Sequence, residues 1–253
     1  MSGHSKWSTI KRQKGTKDQK RGQVFTKLSY SITTAVREGG GVADPNSNFR
    51  LRLAVDEARA ANMPKENITR AIERASGKQA GDIEEIFYEG FGPGGFSVIV
   101  ETLTDKKQRT VAEVKNAFEK NGGSMGVAGS VMYQFEKTGV ITVSKNGQSL
   151  DDIFLIAADC YAEDIEDSDT DAIIYTKSDD LAKARNALLE KAIKIRETRL
   201  IWKPVSINTL TDKEQAQKAI KFIDLLEELD DVHKVYVNFD IDDNIMESIL
   251  NDQ

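Results

Sequence analysis

Residues 90–104 read Gly90-Phe-Gly-Pro-Gly-Gly-Phe-Ser-Val-Ile-Val-Glu-Thr-Leu-Thr104, and their order decides which folds are open to the chain. Gly90, Gly92 and Gly95 satisfy the G-x-G-x-x-G string. A dinucleotide site needs a strand before that string and a helix after it, so that the helix N-terminus meets the pyrophosphate. Here Phe96 to Thr104 follows, alternating and rich in β-branched residues, which is a strand. Pro93 also removes a backbone donor. The glycines therefore make a turn between strands. No G-x-x-x-x-G-K-[ST] string occurs, so there is no P-loop.

Toward the N-terminus the pattern turns helical. Residues 1–22 are an arm, or a helix polar all round, with Lys6, Lys11, Arg12, Lys14, Lys17, Lys20 and Arg21 against Asp18. Val24, Phe25, Leu28, Ile32, Ala35 and Val36 follow at helical spacing, stopped by Gly39-Gly40-Gly41. Asn48 caps a second helix with stripe Leu51, Ala54, Val55, Ala58. A third starts at Met63-Pro64, with stripe Ile68, Ala71, Ile72, Ala75 and Gly77 beyond its end. This is a small helical bundle.

Toward the C-terminus strands and helices alternate. Thr110 to Glu113 has the capping-box form and opens a helix with Val111, Val114, Ala117 and Phe118. Ser130 to Phe135 and Val140 to Val143 read as strands, the latter ending at the Asn146-Gly147 turn. Ser149 caps a helix, Ala172 to Thr176 is a strand, and Ser178 caps another helix. Leu200 to Ile207 is extended, and Thr211 to Glu214, a second capping-box form with Thr211 as the cap, opens a long helix through Ala219, Ile220, Ile223 and Leu226. Val235 to Phe239 is a last strand, after which the acidic end is expected to fray. If 136–207 is an insertion, its flanks complete an α+β layer, and the insertion has the same kind of content.

Among the 253 residues, 39% are apolar and 30% charged, an ordinary soluble balance. One Cys cannot form an internal disulfide, and two His with one Cys cannot make an ordinary four-ligand zinc site. No signal peptide and no membrane span are visible, so the reading is cytoplasmic. The net charge of −6 hides a split: residues 1–78 hold 16 Lys+Arg against 7 Asp+Glu, and the remainder 19 against 34. A basic head on an acidic body points to a polyanion for the head, nucleic acid above all.

The arm carries the candidate site: Lys6, Trp7, Lys11, Arg12, Lys14, Lys17, Lys20, Arg21 and Lys27. Lys and Arg neutralise phosphates, and Trp can stack on an unpaired base. The plainer alternative is a solvated basic tail. Asp167, Asp169 and Asp171 imitate a calcium loop, but Ala172 stands where Gly should and Ser178 where Glu should. Cys160 reads as a buried, inert thiol. His4 and His233 belong to no triad. Lys106, Lys107 and Arg109 read as a solvated loop. Neither a catalytic residue, nor a metal site, nor a cofactor is expected.

Several strings together resemble one family: Gly3-His-Ser-Lys-Trp7, Lys20-Arg-Gly, Phe25-Thr-Lys27, Gly39-Gly-Gly41 and Asn62-Met-Pro-Lys65. They continue with Tyr88-Glu-Gly-Phe-Gly-Pro-Gly-Gly95, Thr104-Asp105, Arg109-Thr110 and Gly129-Ser130-Val131. The chain is similar to the YebC/PmpR family, which has an organellar relative that activates translation of cytochrome oxidase subunit I. It departs at Asp105-Lys-Lys-Gln-Arg-Thr110, where the family usually has Asp-Asn-x-Asn-Arg-Thr. The resemblance implies a helical N-terminal bundle followed by two α+β sandwich domains, the third inserted in the second. The corresponding boundaries are 1–78, then 79–135 with 208–253, and 136–207 between them. It also implies a non-enzymatic regulator of gene expression, with the label of a DNA-binding transcriptional regulator. The alternative is a ribosome-associated translation factor that binds ribosomal RNA and relieves stalling. The residues add arguments toward RNA. The connection through Gly39-Gly-Gly41 and Asp44-Pro45 is too long for a helix-turn-helix, and an acidic two-thirds fits poorly against a duplex, whereas a basic arm with Trp7 can thread into folded RNA. The sequence sets neither the target nor the oligomeric state.

Overall fold

The computed structural model describes residues 18–77, 83–168 and 170–251. The chain is mixed α and β and divides into two compact units, residues 135–203 and the chain on either side of them. Among the described residues no helix is long and apolar enough to cross a membrane.

In the larger unit, α1 (Asp18–Glu38), α2 (Phe49–Ala60) and α3 (Lys65–Ser76) form a bundle. Leu28, Ile32, Ala35 and Val36 of α1 meet Leu51, Ala54, Val55 and Ala58 of α2 and Ile68 and Ala71 of α3 in one core. α1 packs along both partners, whereas α2 and α3 touch each other little. They are joined by only four residues, Ala61 to Pro64. Asn62 takes a left-handed φ of 57° there, Met63 drops into the core, and Pro64 sets the entry to α3.

The same unit holds β1 (Glu84–Phe91), β2 (Ser97–Thr104), α4 (Lys107–Lys120) and the short β3 (Ser124–Met125). Beyond the smaller unit it resumes with β8 (Asn208–Leu210), α7 (Lys213–Glu227), β9 (Val232–Val237), β10 (Phe239–Ile241) and α8 (Asp243–Asn251). The main sheet runs β3-β1-β2-β9 and is antiparallel throughout. Val98, Val100, Val235 and Val237 face α4 and α7, with Phe118 and Phe222 ring edge to ring face at 5.2 Å between centroids. The opposite face, which carries Ile99, Glu101 and Tyr236, receives α1. The glycine string turns β1 into β2: Gly94 and Gly95 have φ of 90° and 86°, and a Cβ on Gly92 would strike the Phe96 ring.

The smaller unit contains β4 (Phe135–Ser144), α5 (Leu150–Ala158), β5 (Asp164–Ser168), β6 (Asp171–Lys177), α6 (Leu181–Glu190) and β7 (Ile195–Pro204). Its sheet order is β5-β6-β4-β7. A βαββαβ chain in that order is a ferredoxin-like layer. Gly139 is required because a Cβ would meet Leu181 of α6 and Thr176 of β6.

Five sequence expectations need correction. Ser130 to Phe135 is mostly not a strand: it is a turn and a short 3-10 helix (Met132–Gln134), held by Glu89 as described below. Thr110 does not cap α4, which starts three residues earlier; Thr110 is buried inside it. Asp212, not Thr211, caps α7 by accepting from Gln215 N at 2.8 Å. A 3-10 turn (Ser178–Asp180) precedes α6, so Ser178 does not cap it. The acidic end does not fray at residue 239: α8 docks Met246 and Ile249 into the core of the larger unit.

Candidate nucleic-acid interface

Of the expected arm residues, Lys6, Trp7, Lys11, Arg12, Lys14 and Lys17 lie outside the described residues. Lys20 sits in the first turn of α1, and Arg21 beside it is exposed. Lys27 turns away from solvent and donates its ammonium to the Glu227 carbonyl at 2.6 Å. That carbonyl stands at the C-terminal end of α7, so a cation there meets the helix dipole as well as the carbonyl. The structure thus places Lys20 and Arg21 together at the root of the arm and gives Lys27 a bond within the fold.

The other cations of the bundle divide by what holds them. Arg37 donates to the Ile83 carbonyl at 2.9 Å. Arg50 bridges Glu38 and Glu85, reaching the latter at 2.6 Å. Arg52 clamps the Pro45 and Asn46 carbonyls, and Arg59 pairs with Asp56. Their guanidiniums brace helix ends and loops. On α3 the pattern reverses. Lys65, Arg70 and Arg74 are exposed and hold no hydrogen bond or ion pair among the described residues. Lys65, Thr69 and Arg70, with Glu66 and Glu73, line a shallow depression on that helix.

Residues 1–27 contain 8 of the 16 cations of residues 1–78 and only 1 of the 7 acids. The bundle proper is therefore close to neutral, and its unpaired cations gather on α3.

Two buried carboxylates organise the larger unit. Glu89, 6% exposed, accepts from the backbone N–H groups of Gly129, Val131 and Met132 at 2.6, 2.8 and 2.8 Å. Burial alone would raise this carboxyl, but the three donors outweigh it and hold the group below its ordinary range. Asp231 is likewise lowered. Burial works against it, while hydrogen bonds from Arg109, Thr110 and Thr104 prevail. Sequence reading took Arg109 for a loop cation and missed both acids. Their signal was only that Glu89 and Gly129-Ser130-Val131 stand in motifs that prove to be bonded partners.

The rejected chemistry can be placed as well. Cys160 is 1% exposed, and burial pushes its thiol up. His233 is buried beside Glu101, and desolvation drives its imidazole down to about 3, so it is neutral at physiological pH. Asp167 pairs with Lys145 and Asp171 with Arg196, while Asp169 and His4 lie outside the described residues. Among the described residues, no group of three or more His, Cys, Asp or Glu could hold a metal.

Comparison with known proteins bears on the whole chain. Residues 5–78 match the family described as the TACO1/YebC protein N-terminal domain, and residues 83–239 match the TACO1/YebC second and third domain. A probable transcriptional regulatory protein of Chloroflexus aggregans is 48% identical over 250 residues, covering 98% of both chains. Another from Acidithiobacillus ferrooxidans is 49% identical over 248 residues, covering 97% of both. A crystal structure of a conserved hypothetical protein, Aq1575 of Aquifex aeolicus, superposes with a TM-score of 0.80 at 40% identity. It covers 91% of this chain and 96% of that one.

Proposed function

The chain belongs to the TACO1/YebC family, and from that membership we propose that it is a cytoplasmic, non-enzymatic transcriptional regulator that binds DNA through its basic N-terminal segment. The relatives from Chloroflexus aggregans and Acidithiobacillus ferrooxidans support the regulatory role, since both are called probable transcriptional regulatory proteins. One observation carries the choice of segment. Residues 1–21 hold 7 cations against 1 acid, whereas Lys27, Arg37, Arg50, Arg52 and Arg59 are spent on contacts within the fold. The division 1–78, 79–135 with 208–253, and 136–207 is proposed with it: the first part binds, and the two acidic parts stand off the phosphates.

The test is deletion of residues 2–21, followed by gel-shift titration on duplex DNA and circular dichroism. The truncated protein should keep its helical and strand signal and lose most of its affinity. Unchanged affinity would refute the reading.

A further inference from the structure

Beyond the long Gly39-Gly-Gly41 connection lies a second one whose length fits a helix-turn-helix motif. Two helices joined by a three- or four-residue turn, the second exposed along its length, are the frame by which many proteins lay a helix in the major groove. α2 and α3 are joined by Ala61 to Pro64 and touch little beyond that turn, because each is fixed on α1. Ile68 and Ala71 anchor α3 to the core, so the opposite side of the helix is rigidly presented. That side carries Lys65, Glu66, Thr69, Arg70, Glu73 and Arg74.

We propose that α3 is a sequence-reading helix for the major groove of duplex DNA, with Arg70 and Thr69 directed at base edges and Lys65 and Arg74 at flanking phosphates. The proposal rests on the DNA reading above and adds to it the source of specificity, which a basic arm cannot supply. Three observations favour a duplex as occupant. Lys65, Arg70 and Arg74 of α3 hold no ion pair among the described residues, whereas Arg37, Arg50, Arg52 and Arg59 are held within the fold, and on this face the three cations outnumber the two acids Glu66 and Glu73. The helix mixes Arg, Thr and Glu, which are side chains that distinguish base edges, rather than cations alone. A helix about 10–12 Å across fits a groove about 12 Å wide, and at 12 residues α3 presents about 18 Å along it.

The experiment selects duplexes from a random pool with the full chain. The selected and a shuffled duplex are then titrated against wild type, Arg70→Ala, Arg70→Lys, the Lys65→Ala/Arg70→Ala/Arg74→Ala triple variant and the protein lacking residues 2–21. These α3 side chains are exposed and unpaired, so melting curves of the variants should match wild type. Arg70→Ala should reduce the preference for the selected duplex about 5- to 150-fold, the range of one bidentate arginine–guanine contact. Arg70→Lys should fail to restore it, because an ammonium cannot make the two-pronged contact. Deleting the arm should weaken both duplexes together and leave their ratio alone. If the deletion changes nothing while Arg70→Ala abolishes preference, the arm reading falls and this one stands. Wild-type preference in the triple variant would overturn the reading helix alone. Enrichment of no duplex, or loss of binding only to a ribosomal RNA hairpin, would overturn both.

Discussion

Arg109 closes a two-pronged ion pair on Asp231: its Nη2 lies 2.7 Å from each carboxylate oxygen, and its Nε lies 3.3 Å from one of them. The acid is almost wholly buried, with its side chain 3% exposed, while the arginine is 42% exposed. Thr110 and Thr104 add hydroxyl donors at 2.7 and 3.0 Å. The group thus ties the start of α4 to the residue that precedes β9. Removing one partner of a buried pair typically costs about 3–5 kcal/mol. Half-exposure of the arginine lets water reach the orphaned acid, so Arg109→Ala should cost about 2–3 kcal/mol. Urea unfolding would measure it. DNA affinity per folded molecule should not change, and a tenfold loss of binding without loss of stability would show Arg109 to be a contact residue instead.

Glu89 makes a prediction about acid. Its folded pKa lies below its unfolded one, so its contribution is complete above the ordinary carboxylate value of about 4.3 and is lost as pH falls through the folded pKa. Asp231 acts in the same direction. Glu89→Gln should lower stability at pH 7 by about 1–3 kcal/mol, since an amide cannot accept all three N–H bonds. The variant should also lose less of its remaining stability than wild type between pH 5 and about pH 3. Thermal melts across that range test it, and parallel curves would show that the carboxylate charge is immaterial.

Regular periodicity was legible and long-range pinning was not. The stripes of α1, α2 and α3 form the bundle core that their spacing foretold, and Phe96–Thr104 contains β2. Ser130 to Phe135 has the composition of a strand, yet Glu89, some forty residues earlier in the chain, takes its N–H groups, so no neighbouring strand can. Thr110 has the form of a cap, but its hydroxyl serves Asp231, 121 residues away. Neither partner is implied by anything local. β1 went unread because Glu84-Glu-Ile-Phe-Tyr-Glu-Gly-Phe91 alternates poorly between its faces. The arm is legible as charge, while the α2–α3 turn carries no glycine between its helices and is marked in sequence only by Pro64.

Salt dependence should count the arm's phosphate contacts. If about five arm cations each neutralise one phosphate, log K should fall against log salt with a slope of roughly −3.5 to −4.5. Affinity should then drop on the order of 100-fold or somewhat more between 50 and 200 mM salt. The protein lacking residues 2–21 should show a much shallower slope. A slope near zero in the full chain would mean that the arm charges remain solvated.

Asn48 has a larger role than the helix cap its position suggests. Its side-chain oxygen accepts from Leu51 N at 3.0 Å, which is the capping bond. Its amide also donates to the Ala35 carbonyl at 2.9 Å and to the Val42 carbonyl at 3.0 Å. One buried side chain thus fixes the end of α1, the Gly39-Gly-Gly41 turn and the start of α2 relative to one another. Gly39 must lack a side chain, because a Cβ there would collide with that amide. Loss of a cap costs about 1 kcal/mol, and leaving a buried carbonyl unsatisfied costs about 1–3 kcal/mol. Water can reach the Val42 carbonyl, since Val42 is 40% exposed, and the Ala35 carbonyl keeps the Gly39 N–H at 3.1 Å, so neither is fully orphaned. Asn48→Ala should therefore cost about 1–3 kcal/mol. Asn48→Asp should keep the cap but lose both donated bonds and set a charge against two carbonyls, so it should be no better than alanine. Chemical denaturation of the three proteins separates the roles: a full rescue by aspartate would mean that capping alone matters.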